Sequence, residues 1–379
     1  MTTYTETDLL RLAKRFHNTK RTYLLVDPMQ AKHLSVQPSK ALEMFHALGK
    51  KVGEACDGVG LVIGFAETAT AVGMAVAEEM SDDCIYIHTT RELVPEEKDW
   101  VEFCEEHSHA VEQKLSGSHL DQWIKSCKSI VFVDDEISTG KTLINIVSRL
   151  KEQYPEIEEK RLVAASIINR VSEVNEQKMR DYGLECVSLL KLEETDYAEA
   201  VKDFSITEAC EPQENDTAGS ASETGISEIR SQVSLMDPRL GVSTREYRRN
   251  IDAFADSLIH SGLVKKADGN ILVVGTEECM YPAIVLGSRL EQALHAKVFT
   301  HSTTRSPIGI CMDEAYPIQS GYKLKSLYDA GRTTYIYNLE KYDQVILVTD
   351  SEQIPGESLD TVVRALRASG NDEILLIRG

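Results

Sequence analysis

The segment VDDEISTGKT, from Val133 to Thr142, combines residue types that could hold a phosphorylated sugar. Two adjacent acids, Asp134 and Asp135, follow an apolar run, and their acceptor-only carboxylates suit the vicinal hydroxyls of a sugar. Small residues then lead into a helix that is predicted to begin near Thr139. The first N–H groups of a helix have no intrahelical partners and lie at the positive end of its dipole, so they suit a phosphate dianion.

The predicted phosphate cradle donates hydrogen bonds from backbone amides and hydroxyls. Its residues are Ser138, Thr139, Gly140, Lys141 and Thr142. Gly140 is expected to let the backbone approach the phosphate closely, since it has no side chain. The tail GKT is also found in triphosphate-binding P-loops, but that pattern requires a glycine where this chain has Asp135. A carboxylate there would repel a triphosphate, so the sequence argues against a nucleoside triphosphatase.

The elements that must position these residues are predicted to form a parallel sheet covered by helices. Apolar β-forming runs alternate with amphipathic stretches, which is typical of this architecture. The predicted strands are Gly60–Ile63, Cys84–His88, Ile130–Val133, Leu162–Ile168 and Cys186–Leu190.

A second α/β domain is predicted after residue 235. It would contain a helix over Thr244–Leu258 and strands at Ile271–Val274, Ala296–Thr300, Thr334–Tyr337 and Val345–Val348. Residues 206–235 hold six acidic residues against one basic residue, a composition that does not bury a core. The sequence therefore predicts a domain over 1–205, an acidic flexible linker over 206–235 and a domain over 236–379.

The two predicted domains resemble each other at three places, in the same order. LVIGFAETATAVG resembles LVVGTEECMYPAI, IHTTRE resembles THSTTRSP, and VFVDDEISTGKTL aligns on the segment from Leu347 to Leu359. Near-equal spacing of the three matches predicts two related lobes, the second a degenerate form of the first. A chance likeness between unrelated strand-loop-helix units is the alternative.

Composition limits the partners of the chain. The formal net charge is -20 over 379 residues, and so acidic a surface repels nucleic acids and anionic membranes. The N-terminal residues lack the apolar core of a signal peptide, and the eight cysteines contain no CxxC pair. We therefore expect a cytoplasmic protein with free thiols that binds neither nucleic acid nor membrane.

The acid pair before the cradle resembles the signature of type I phosphoribosyltransferases, which bind 5-phosphoribosyl-1-pyrophosphate (PRPP). The resemblance implies two Rossmann-like lobes of which the first has the type I phosphoribosyltransferase fold. It also implies Mg²⁺ as cofactor, carried by PRPP and contacted by Asp134 and Asp135, and attack of a nucleophile on C1 of the ribose. Enzymes acting on 6-oxopurines carry an aspartate where this chain has Ser138, so the likeness is to the orotate type.

Two further motifs are similar to parts of that family. GFAETA looks like its pyrophosphate loop, which assigns diphosphate contacts to Phe65, Ala66, Glu67 and Thr68. TTRE looks like the start of its mobile loop, with Arg91 offering charge to the pyrophosphate or lying solvated at a strand end. For His107 and His109, in the polar stretch that follows, an exposed helix face is favoured over a place in the closing loop.

The whole chain resembles a bacterial family from tellurite-resistance gene neighbourhoods, in which such a domain is fused to a TRSP domain. That likeness rests on LLVDPMQAKHLSVQP, EEHSHA and the letters TRSP themselves. It implies a step in a nucleoside-like metabolite pathway. Within the second domain, His301, Thr304, Arg305 and Ser306 are predicted to form an anion site, although a purely structural lobe is an equal alternative.

The sequence thus predicts transfer of phosphoribosyl from PRPP to a small, nucleobase-like acceptor with release of pyrophosphate. The main alternative is a regulatory protein that binds PRPP without turnover. The general base is open between Glu136 and Glu67, and the oligomeric state between a homodimer and a monomer whose two lobes mimic one. The second lobe is expected not to bind PRPP productively, because Pro355 removes an amide from its cradle.

Overall fold

A computed structural model of the chain describes residues 3–16, 18, 21–103, 113–193, 195–213, 226–264 and 269–379. His107, His109 and the centre of the predicted linker lie outside these residues. The chain forms two compact units. The first comprises Met1–Thr5, Glu43–Glu194 and Met236–Asn250, and the second Glu6–Leu42, Thr195–Leu235 and Ile251–Gly379. The domain boundaries at 205 and 235 remain predictions. The two units are defined by contacts in space and each contains several segments, whereas the predicted domains are continuous along the chain.

The strands and helices are named here in chain order. The strands are β1 (Arg11–Lys14), β2 (Tyr23–Val26), β3 (Val59–Gly64), β4 (Ile85–His88), β5 (Trp100–Phe103), β6 (Gln113–Ser116), β7 (Ser129–Ile137), β8 (Arg161–Asn169), β9 (Leu184–Lys191), β10 (Ser227–Arg230), β11 (Val242–Ser243), β12 (Asn270–Gly275), β13 (Lys297–Ser302), β14 (Gly321–Lys325), β15 (Thr333–Tyr337), β16 (Gln344–Thr349) and β17 (Ile374–Arg378). The α-helices are α1 (Glu6–Leu9), α2 (Pro38–Ala55), α3 (Ala69–Glu78), α4 (Leu120–Ser126), α5 (Lys141–Gln153), α6 (Glu173–Asp181), α7 (Tyr197–Val201), α8 (Thr244–His260), α9 (Met280–Ala293) and α10 (Gly356–Ala368).

The first unit is built on a six-stranded sheet in the order β11-β4-β3-β7-β8-β9. All neighbours are parallel except β11, which is antiparallel to β4. The sheet interior is almost wholly apolar, as expected for parallel strands covered on both faces. Each of the five strands predicted in this part of the chain overlaps a strand of the sheet, so the predicted parallel α/β architecture is confirmed.

Two predicted boundaries beside the acid pair are wrong. Strand β7 does not end at Val133 but continues through both acids to Ile137, paired with β8 over that length. Helix α5 begins at Lys141, two residues later than predicted. Asp134 and Asp135 are therefore part of strand β7, near its carboxyl end. Hydrogen bonds to the neighbouring strand β8 hold their backbone in place.

The order of the strands creates a topological switch point in this sheet. From β3 the chain goes to β4 on one side, whereas β7, β8 and β9 lie on the other side. In open parallel sheets, ligands bind at such a topological switch point, outside the carboxyl ends of the two strands that flank it. The flanking strands here are β3, which ends at the predicted pyrophosphate loop, and β7, which carries the acid pair near its carboxyl end.

The stretch from Val94 to Leu115 contains His107 and His109, for which an exposed helix face was favoured and which lie outside the described residues. The described parts of the stretch include an antiparallel pair, with Trp100 opposite Ser116 and Phe103 opposite Gln113. Val101, Phe103 and Leu115 are buried in the core of the first unit. This pair was not predicted, because the strands are four residues long and β6 is mostly polar, so it depends on packing that local composition does not reveal.

The second unit is built on a parallel five-stranded sheet in the order β10-β17-β16-β12-β13. The predicted strands of this part overlap β12, β13, β15 and β16. Strands β13-β12-β16-β17 repeat the order β4-β3-β7-β8 of the first unit, which agrees with the predicted repeat. The ancestry of the second lobe remains a prediction.

The described ends of the predicted linker take part in the second unit. Ser227–Arg230 is strand β10, parallel to β17, and Thr207 bridges to Ile310. Ala209 is buried. These contacts differ from the unstructured linker expected from composition, because partners distant in sequence supply the pairing. Among the described helices, none has the length and apolar character needed to cross a membrane.

Candidate active site

The acid pair lies at the carboxyl edge of the central strand β7. Asp134 pairs in register with Ser166 of β8, and the Asp135 amide donates to Asp134 Oδ1 at 2.9 Å. Both residues are partly exposed. Burial of the carboxyl group, followed by the negative charge of Asp135, raises the pKa of Asp134 well above its usual range. Two carboxylates in this position stabilise a cation or a developing positive charge.

Glu136, the third acid of the run, is engaged elsewhere. Arg170 Nε donates to Glu136 Oε1 at 2.5 Å, and both side chains are largely buried. A carboxylate neutralised in this way is a poor proton acceptor. The geometry therefore gives no support to Glu136 as the general base.

The predicted cradle coincides with a helix start that has no cap of its own. Gly140 precedes α5 without a side-chain cap, and the first turn contains no acidic residue. The hydroxyls of Ser138 and Thr142 are half-buried and make no hydrogen bond to any residue that the structure describes. Thr139 Oγ1 accepts a long hydrogen bond of 3.4 Å from the Lys141 amide. Unpaired donors at the positive end of a helix form an anion site.

The reason for glycine at position 140 differs from the one expected. Its φ is +74°, a left-handed conformation that favours glycine. A Cβ at this position would lie 2.3 Å from Met179 Sδ, in the core of the unit. Glycine is therefore required by the backbone and by Met179, whereas close approach to a ligand remains a prediction.

The loop after β3 is tied to both neighbouring strands. The Phe65 amide donates to Val133 O at 3.0 Å, and the Ala66 amide donates to Thr89 Oγ1 at 2.8 Å. The peptide bond between Ala66 and Glu67 is cis. The first two amides of the loop are thus used inside the protein, and the predicted diphosphate contacts of Phe65, Ala66, Glu67 and Thr68 stay a prediction.

Thr89 is a positioning residue that sequence reasoning missed. Its amide donates to Gly64 O at 2.9 Å, and its hydroxyl donates to Gln113 Oε1 at 2.5 Å while accepting from Ala66. Its place directly after a buried strand was the available signal. Arg91 lies exposed two residues further on, at the same edge of the sheet, and its contact with pyrophosphate stays a prediction.

The residues of the predicted second-lobe anion site are occupied within the protein. His301 Nδ1 accepts from the Ser302 amide at 2.7 Å, and Nε2 lies 2.8 Å from Tyr337 O. Burial lowers the pKa of His301 to about 4, so the ring is neutral. Arg305 pairs with Glu277 and Glu278 at 2.9 and 3.4 Å. Thr304 Oγ1 accepts from the Ser306 amide. An anion bound by these four residues would have to replace those contacts.

The acid pair suits the magnesium ion that the resemblance implies. Mg²⁺ prefers oxygen ligands, keeps several waters and is usually held by one or two carboxylates together with substrate phosphates. Asp134 and Asp135 provide such oxygens at an accessible edge. Within the described residues, no group of three or more His, Cys, Asp or Glu side chains is placed to hold a metal by itself.

Comparisons with known proteins divide the chain in two. Residues 9–193 match a family model described as phosphoribosyl transferase, and residues 237–366 match the TRSP domain that lies C-terminal to it. No curated protein matches the chain.

Among solved structures, similar ones include two adenine phosphoribosyltransferases. That of Giardia lamblia is 15% identical, with a TM-score of 0.35 over 49% of this chain and 95% of that one. That of Rhodothermus marinus is 12% identical, with a TM-score of 0.34 over 49% of this chain and 96% of that one. A hypothetical protein from Neisseria gonorrhoeae with bound ppGpp is 11% identical, with a TM-score of 0.27 over 43% and 85% of the two chains. Likenesses of this size bear on neither substrate nor mechanism.

Proposed function

Because residues 9–193 belong to a phosphoribosyl transferase family and residues 237–366 carry the TRSP domain that follows it, we propose that this chain transfers the 5-phosphoribosyl group of PRPP to a nucleobase-like acceptor. One observation carries the proposal. Paired carboxylates lie near the carboxyl end of strand β7, at the switch point of the sheet, and an uncapped helix start follows a few residues after them. That order along the chain matches the order along PRPP of its ribose hydroxyls and its 5′-phosphate.

The 5′-phosphate would accept hydrogen bonds from the start of α5. The amides of Thr142 and Leu143 and the hydroxyls of Ser138 and Thr142 are the donors proposed for it. Asp134 and Asp135 would accept from the ribose hydroxyls. Ser138, which stands where enzymes of 6-oxopurines carry an aspartate, favours an acceptor of the orotate type.

The bond changes at C1 define what the protein must stabilise. The acceptor's lone pair forms the new bond to C1, the bond from C1 to the pyrophosphate oxygen breaks with its electron pair on that oxygen, and the acceptor proton passes to water. Positive charge develops on the ribose, which the two carboxylates stabilise, and negative charge develops on the leaving group. Glu67 and Thr68 of the loop after β3, with Arg91, are the residues proposed to face that group. Bound Mg²⁺, held by PRPP with Asp134 and Asp135, would neutralise part of its charge.

The test is pyrophosphate release from PRPP in magnesium buffer with a panel of nucleobase acceptors. We expect the double variant Asp134→Asn, Asp135→Asn to lose turnover by about two or more orders of magnitude, because each carboxylate acts on charge that develops in the transition state. The matched control is Asp82→Asn, Asp83→Asn, which removes the charges of two exposed aspartates that are likewise consecutive in the chain.

Three results would count against the proposal. Equal turnover in the two double variants would remove the acid pair from the mechanism. If the chain binds PRPP but releases no pyrophosphate from it with any acceptor of the panel, the regulatory alternative is favoured. Absence of PRPP binding to the folded chain, measured by calorimetry, would remove the function altogether.

A further inference from the structure

A group of side chains in the second unit is buried without hydrogen-bond partners. The atoms concerned are both ring nitrogens of His33, Gln30 Nε2, Thr300 Oγ1 and Ser302 Oγ. These four residues are at most 4% exposed. Buried polar groups in folded proteins are nearly always satisfied, by protein, by water or by a ligand. Five such atoms lie on two segments that pair through their backbones, and they could be satisfied by a bound group or by water. We call these four residues the His33 cluster.

Backbone pairing brings the two segments together. Val36 and Thr300 exchange hydrogen bonds of 3.1 and 2.8 Å as an antiparallel bridge. Because the bridge is antiparallel, the residues before Val36 lie towards the carboxyl end of β13. Thr300 and Ser302, two residues apart on that strand, face the same side. The cluster therefore lies at the carboxyl edge of the second sheet, beside the segment Thr304–Pro307.

The charges around the cluster favour an anion over water alone. Lys32 is 1% exposed, and Arg15 is bridged through its backbone to Ile308, next to Pro307. Burial, then the neighbouring groups Lys32, His301 and Arg15, lower the pKa of His33 well below its usual range, and of these three the positive charges are on Lys32 and Arg15. Asp27, which carries the opposite charge, is also buried in this part of the chain. A neutral imidazole keeps one N–H donor, so the cluster offers donors from His33, Gln30, Thr300 and Ser302 in a positive field.

We propose that the His33 cluster binds a small oxyanion, either free phosphate or the phosphate or carboxylate end of a metabolite. The near-complete burial of these residues limits the ligand to a group of that size. The site differs from the one predicted from sequence, since His301 and Arg305 are occupied within the protein while the cluster is not. It does not depend on the proposed transferase reaction, because its residues all lie in the second unit.

The experiment measures binding of inorganic phosphate to the full chain after the cradle of the first unit has been blocked. Thr142→Glu places a carboxylate in the first turn of α5, where it occupies the anion position and favours the helix dipole. In this background we expect saturable phosphate binding by calorimetry and a raised unfolding temperature. Acetate, tested in parallel, distinguishes a preference for carboxylate from one for phosphate.

Two variants in the Thr142→Glu background locate the binding. His33→Phe and Lys32→Met should each weaken phosphate binding at least tenfold. Their matched controls, His295→Phe and Lys40→Met, change residues outside the cluster and should leave it unchanged. Equal binding in all four variants would overturn the proposal, as would absence of phosphate binding in the folded Thr142→Glu protein, which would indicate buried water alone.

A measurement on the unmutated cluster covers the case in which these variants fail to fold. With ¹⁵N-labelled histidine in the Thr142→Glu chain, phosphate at constant pH should shift the ring nitrogen signals of His33, while those of His301 stay in place. Unmoved His33 signals at saturating phosphate would also overturn the proposal. Loss of the transferase reaction in Asp134→Asn, Asp135→Asn has no bearing on either result, so the two proposals fail independently.

Discussion

Gly140 and Gly356 occupy matching positions in the two predicted lobes but have different surroundings. Gly140 has a φ of +74°, and a methyl group added to it would meet Met179. Gly356 is the first residue of α10, has no positive φ and has open space around it. We expect Gly140→Ala to destabilise the protein by about 1–2 kcal/mol through the left-handed backbone alone, with the clash adding to it. Urea unfolding followed by circular dichroism measures the change.

Gly356→Ala is the control for that substitution. It should leave stability unchanged or raise it by up to about 1 kcal/mol, because alanine favours a helix and meets no neighbouring atom. Equal destabilisation by the two substitutions would contradict the account of Gly140.

Residue identity also separates the second lobe from the first. Pro355 precedes α10 and offers no amide, and Ser351 stands where the first lobe has Asp135. Asp350, the remaining acid, accepts a hydrogen bond from Tyr328. These differences support the prediction that the second lobe does not bind PRPP productively.

At the scale of elements, the pair β5–β6 depends on a buried carboxylate at its base. Burial opposes ionisation of Glu97, but hydrogen bonds from Ser116, Ser118 and the amides of Asp99 and Lys98 outweigh it and lower its pKa to about 2. Because the folded pKa lies below the unfolded value of 4.5, the ionised group stabilises the fold above pH 4.5. That contribution is lost as the pH falls towards 2.

Thermal unfolding of Glu97→Gln between pH 2 and 7 tests this account. The variant should unfold at a lower temperature than the wild type near neutral pH, and the difference should shrink as the pH falls from 4.5 to 2. Glu96→Gln, an exposed neighbour, should behave as the wild type throughout. A difference that does not change with pH would show that the hydrogen bonds do not depend on the charge of Glu97.

At the scale of the whole molecule, each compact unit is made of three segments that are not continuous along the chain. Met236–Asn250 belongs to the first unit, where β11 pairs with β4 and Thr244 donates to Cys84 O through both its amide and its hydroxyl. Gly241, with a φ of +83°, lies against the ring of Trp123. A chain cut after residue 235 therefore leaves the first unit without its edge strand.

We expect that truncated chain to unfold at a lower temperature than the full chain and to show red-shifted tryptophan emission. Gly241→Ala in the full chain should reproduce part of the shift, since a Cβ there would meet Trp123 at 2.1 Å. An unchanged unfolding temperature for residues 1–235 would instead support the predicted chain-contiguous domain.

The sequence by itself determined the parallel sheets, the position of the acid pair and the order of the two domains. Strands that are buried on both faces are apolar over most of their length, so they can be recognised as continuous apolar runs. Gly60–Ile63 and Ile130–Val133 could be recognised in this way without any knowledge of their partners. The helix start after the acid pair could be predicted to within two residues, because the residues that begin a helix are close together in the chain.

Only the tertiary structure decided which distant segments complete each unit. Strand β10 lies in an acidic segment and pairs with β17, and the polar strand β6 pairs with β5, so neither β10 nor β6 is visible in local composition. The use of the Ala66 amide by Thr89 and the bridge between Val36 and Thr300 also depend on residues far apart in the chain. Such contacts form only when the sheets assemble, because strand pairing and burial both require a second segment that is distant in the sequence.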